Sequence, residues 1–144
     1  MKTQQTPATL NDVRLAIFRQ HTQIAQLTDE LETHAIAIVT EGGDRRAPSH
    51  ALNESLDLLS THFVRHLDYE EAHLAKWVPA RGTARDSEPS LFGDHADQRC
   101  RLRGLLHDRN VFGDQRTVAR EVLAFVHHLR KDMADEDLQV RRLG

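Results

Sequence analysis

Two short phrases concentrate the chemistry of this chain. His66-Leu67-Asp68-Tyr69-Glu70 and His128-Leu129-Arg130-Lys131-Asp132 each set an imidazole four residues before a carboxylate. On a helix, residues four apart share a face, so each phrase aims one nitrogen and one oxygen donor at a common point. Imidazole with carboxylate suits first-row metals, iron, manganese and zinc above all. A carboxylate on each of two facing helices can also bridge two ions.

Each phrase follows a segment with one His inside an apolar stripe, His21 in the first half and His95 in the second. The chain therefore runs His, His-x-x-x-acid, His, His-x-x-x-acid, a coarse internal duplication. This ordered set resembles the hemerythrin-like family, the HHE cation-binding domain, whose members hold a pair of non-heme irons on four helices. The likeness continues past Glu70 through Glu71 and Leu74 to Trp77-Val78-Pro79, similar to the family's "H-x-x-x-E-E … aromatic … P" ending. It covers nearly the whole chain, residues 1–144, and only the ordered set is specific.

The resemblance implies that Glu70 and Asp132 bridge two oxo- or hydroxo-bridged irons and that His21, His66, His95 and His128 are terminal ligands. Two departures stand out. Arg99 occupies the position where oxygen-carrying members have a second His on the third helix, and Asp132 stands where many HHE domains have Glu. Two octahedral ions need about twelve donor positions, so a missing His leaves about two open rather than one. That argues against a reversible oxygen carrier and for a centre that binds or senses O2, NO or peroxide, with room for modest oxidase or peroxidase activity. His62, His73, His127 and Glu136 are alternative sources of the missing donor. His127 competes with His128, whose direction on its helix is closer to that of Asp132.

Apolar periodicity supplies the elements that would position these side chains. Leu10, Val13, Ile17, His21, Ile24, Leu31, Ala35 and Ile38 recur at three- and four-residue steps, with Thr28 filling the missing turn, which predicts a first helix over 9–40. Gly42-Gly43 breaks it, and Ser49 is the expected cap of a second helix with the stripe Leu52, Leu56, Leu59, Phe63, His66, Glu70, His73 or Leu74, and Trp77, closed by Pro79. Ser87 and Pro89 open a third, carrying Leu91 or Phe92, His95, Leu102, and Leu105 or Leu106 as far as Asn110. Gly113-Asp114 starts a fourth, with Val118, Val122, Phe125, Val126, Leu129 and Met133 as its arc and His128, Asp132 and Glu136 along one border. Short connections predict an all-α, up-down-up-down four-helix bundle in a single domain.

Composition narrows the function classes. Net charge is −3, so bulk charge does not favour nucleic acid. Cys100 is the only cysteine, which excludes an intrachain disulfide and a thiolate-rich zinc site. The polar start and the lack of a long apolar run point to a soluble cytoplasmic protein with no membrane span.

The chain holds ten His, so most are bystanders and the ordered set matters more than the count. A lone His on an apolar face is usually a satisfied core residue, and an isolated His-x-x-x-acid pair is often a surface contact. Four His in register with two acids are harder to explain without a cation, because a buried unpaired carboxylate costs several kcal/mol. The competing readings are a helical interaction or regulatory module with one zinc or a heme, and an iron-donating stress-repair protein. The last is weakened by the absence of an additional Cys-containing N-terminal segment. A metal-free bundle with His⁺–acid pairs remains the plainest alternative.

Overall fold

The computed structural model describes residues 9–40, 46–77, 94–111 and 114–143. Four helices account for nearly all of them: α1 (Leu10–Thr40), α2 (Arg46–Leu74), which runs on as a 3-10 turn through Trp77, α3 (His95–Val111) and α4 (Gln115–Arg141). The breaker Gly42-Gly43, Pro79, the expected start of the third helix at Ser87-Pro89 with Leu91 and Phe92, and Gly113 lie outside the described residues.

Local chemistry explains the ends. Thr9 and Asp12 form a reciprocal cap on α1, the Thr9 backbone N–H donating to Asp12 Oδ2 at 3.2 Å and the Asp12 N–H to Thr9 Oγ1 at 3.1 Å. Helix α2 begins at Arg46, three residues ahead of the expected Ser49 cap. Pro48 thus falls in the first turn, where a missing backbone N–H costs no intrahelical bond. Asp114 is the N-cap of α4, accepting from the Arg116 N–H at 3.0 Å. Asp114→Ala is expected to cost about 1 kcal/mol, read as a lower urea midpoint with unchanged slope; an unchanged midpoint would show that α4 does not depend on this cap.

Cross-helix pairs give the topology. Early α1 meets late α4 where Arg14 Nε donates to the Val140 carbonyl at 3.0 Å, and late α1 meets mid α4 where Arg130 binds Asp29 and Glu32. Late α2 meets early α3 through Arg99 and Glu71, and early α2 meets late α3 through Asp57 and Arg109. Neighbouring helices are antiparallel throughout, which makes the fold an all-α, up-down-up-down four-helix bundle.

The core is divided. A long apolar cluster runs from Ile24, Leu31 and Ile38 across Leu52, Leu59 and Phe63 to Val122, Phe125 and Leu129. A smaller one, Val13, Ile17, Leu74 and Val140, closes the opposite end with Phe18, Tyr69 and Trp77 at its edge. The stripe ambiguity on α2 resolves accordingly, with Leu74 buried and His73 exposed. Between the two clusters lies a polar layer in which His21, His66, Glu70, His95 and Glu136 are all buried.

Candidate metal centre

His21 follows Ile17 by one turn on α1 and precedes Ile24, so the helical period that buries those isoleucines also buries the imidazole. His66 and Glu70 inherit the inward direction of Phe63 in the same way on α2. Three donor atoms meet at one point: His21 Nε2 lies 3.0 Å from His66 Nε2 and 3.0 Å from Glu136 Oε1, and His66 Nε2 lies 3.1 Å from the same oxygen. Two donors held at right angles about 2.1 Å from an ion are about 3.0 Å apart, so this triangle has the size of one face of an octahedral shell.

Glu70 sits between this triangle and a third imidazole. Its Oε1 contacts His66 Nε2 and lies 3.8 Å from His21 Nε2, while its Oε2 lies 3.4 Å from His95 Nε2. The carboxylate is 0 % exposed, and neither oxygen has a partner of hydrogen-bond geometry among the described residues. A buried carboxylate in that condition is costly, and a cation at the point where the imidazoles converge removes the cost. His21, His66, Glu70 and Glu136 together form a buried group able to hold a metal ion.

The outer layer fits the same use. His21 Nδ1 donates to Asp137 Oδ1 at 2.5 Å and His66 Nδ1 to Gln20 Oε1 at 2.6 Å, while His95 Nδ1 faces Glu71 Oε1 at 3.4 Å. With Nδ1 carrying the proton, each imidazole presents its Nε2 lone pair to the centre, the arrangement by which proteins orient metal-binding histidines. Glu71 is fixed in turn by a two-pronged contact with Arg99, at 2.6 and 2.7 Å, and Arg99 also reaches Asp68 at 2.8 Å. Arg99 therefore pairs with acids instead of entering the centre.

Of the six residues expected as ligands, the structure brings His21, His66, Glu70 and His95 together. Asp132 is half-buried one turn away; its Oδ2 accepts from Gln98 Nε2 at 3.3 Å, and it lines a cavity of about 30 Å³ shared with His95, Gln98 and Glu136. His128 does not join them. It is exposed, as is His127, because both precede the buried Leu129 on the helix and point to its outer side. His62 is half-buried and His73 exposed.

The acid that reaches the triangle is Glu136, which sequence reasoning ranked only among the alternatives. Its signal lay in the stripe: Val122, Val126, Leu129 and Met133 step to 136 before Val140, so a Glu fills an inward position. Its neighbour Asp137, which the sequence did not single out, holds His21 from the outer side.

In the metal-free protein the three buried imidazoles are the groups that hold protons. Burial opposes the charged form of His21, yet its hydrogen bond to Glu136 and the nearby Glu70 and Asp137 carboxylates outweigh it and raise its pKa from 6.5 to about 10. His66 and His95 are raised by the same balance. Burial also opposes the Glu70 carboxylate, but its contacts with His21, His66 and His95 hold it below the usual carboxylate range.

A His pKa raised on folding adds stability that is complete below the unfolded value, near 6.5, and lost as pH rises through about 10. The metal-free protein is accordingly expected to melt lower at pH 10 than at pH 6, with a weaker slope in His21→Gln; identical slopes in the two proteins would contradict this balance. Compared with known proteins, the chain finds no match to any family model, curated protein or solved structure.

Proposed function

We propose that this protein is a non-heme di-iron protein of the hemerythrin-like kind, which binds or senses O2, NO or peroxide within its bundle. The observation that carries the reading is the orientation of three imidazoles, each turning Nε2 inward while an outer acceptor faces its Nδ1. His21, His66 and Glu136 would hold one ion and His95 the other, with Glu70 between them and Asp132 beside the small cavity next to His95. Nitrogen and hard oxygen donors without thiolate suit iron. Bound iron would supply redox chemistry and open positions for a small ligand. The chain's own residues would orient the donors, keep water out with the Ile17 and Phe63 ends of the core, and hold protons on the Nδ1 atoms.

The test is metal content by mass spectrometry on protein purified without chelator, with absorption spectra before and after reduction. About two irons per chain and a near-ultraviolet band that reductant bleaches are expected; heme, or no metal after growth in iron, would overturn the reading. A second reading has its own support. The four donors His21, His66, Glu70 and Glu136 lie within 4.8 Å of one another, compact enough for one tetrahedral zinc. That protein would be colourless and carry one ion.

Substitution separates the ligands from the bystander. Glu136→Ala is expected to lower bound metal severalfold, whereas His128→Ala leaves it unchanged. Loss of metal in His128→Ala would place the exposed His in the centre after all.

A further inference from the structure

A cavity of about 350 Å³ opens between α1 and α2 on the outer side of His66. Its lining is Gln20, Gln23, Ile24, His62, Arg65, His66 and Tyr69, with no carboxylate among them. In a chain of net charge −3 that is an uncommon surface. Arg99, Arg101, Arg109 and Arg130 each bind an acid, whereas Arg65 has no carboxylate within salt-bridge distance among the described residues. Gln20 gives its oxygen to His66 Nδ1, so its amide NH2 remains a donor. Tyr69, on the same lining, adds a phenol O–H as a further donor.

We infer that this cavity binds a phosphate group, free or carried on a small organic body, and that occupancy is transmitted to His66 through Gln20. The guanidinium fork and imidazole match a tetrahedral oxyanion. The Ile24 and Tyr69 side chains give an apolar wall, and a volume of this order accommodates a compact organic body as well as the anion. An anion that draws the Gln20 amide outward pulls on the hydrogen bond that orients His66. Binding itself needs only the cavity and its donors, although His66 on its inner side belongs to the centre.

The experiment is calorimetric titration of the full chain with inorganic phosphate and, separately, with glycerol phosphate, while the His66 imidazole is followed by NMR. Saturable binding of at least one probe is expected, with the tighter of the two showing whether the group is free or esterified. Reversing one charge near the anion swings the interaction by two unit charges, so Arg65→Glu is expected to weaken binding about thirtyfold. Arg120→Glu, an equal charge change on an exposed residue of α4, should leave it within error. Circular dichroism of both variants guards against misfolding. No saturable binding, equal loss in both variants, or binding that leaves the His66 resonances unmoved would overturn the inference.

Discussion

Stripping the metal with a strong chelator is expected to lower the melting temperature by on the order of 10 °C, and Glu70→Gln is expected to abolish that response. An ion bound only by the folded state stabilises it by about 4 kcal/mol when its concentration is a thousandfold above Kd. For a chain of this size each kcal/mol corresponds to roughly 2–4 °C. Glu70 is the residue through which that linkage should act. Its carboxylate is wholly buried, lies between His21 and His66 on one side and His95 on the other, and lacks hydrogen bonds of good geometry among the described residues. Glutamine keeps the shape and removes the charge, so the variant has little metal to lose. Differential scanning calorimetry with and without chelator decides it: a wild-type protein indifferent to chelation would mean that the polar layer is held by protons alone.

The second large effect is structural. Phe63 is 0 % exposed and meets Phe125 edge to face, with ring centroids 6.5 Å apart. It lies three residues before His66 on the same face of α2, so it is the apolar floor on which the polar layer rests. Phe63→Ala should cost about 3–5 kcal/mol through lost burial and the cavity left behind. Phe63→Leu should cost about 1 kcal/mol by keeping most of the volume. Urea unfolding measures both. Near-equal costs would mean that the site collapses around the smaller side chain and that packing beneath His66 is looser than the geometry implies.

Much of this molecule was legible in its sequence, and the reasons differ by element. The α1 stripe from Val13 to Ile38 repeats for many turns, and a signal that long leaves little choice of structure. His21, His66, Glu70 and His95 could be placed because each interrupts an apolar stripe, and an interruption that the helix must bury calls for a reason. Helix α4 was harder. There the motif spacing drew attention to His128 and Asp132, while the stripe itself leads to Glu136; spacing says which residues share a face, and only packing says which face turns inward. The start of α2 was misjudged because Ser49 has the chemistry of a cap, yet Pro48 is tolerated inside the first turn. Nothing in the sequence could foretell that Asp137 or Gln20 would hold an imidazole, since such contacts join residues far apart in the chain.

That distance has a consequence for how the protein comes into being. His21 and Glu136 are separated by 115 positions, so the polar layer is a closure of nearly the whole chain upon itself. During synthesis α1 and α2, whose Leu31, Leu52 and Leu59 belong to one apolar cluster, can pack early while His21 and His66 wait without Glu136. The centre is complete only when α4 has left the ribosome and folded back on α1 and α2. The entropic cost of so long a loop rises only slowly with length, but it falls on the final step. A chain truncated before residue 136 therefore carries the imidazoles and Glu70 without the acid that completes their triangle.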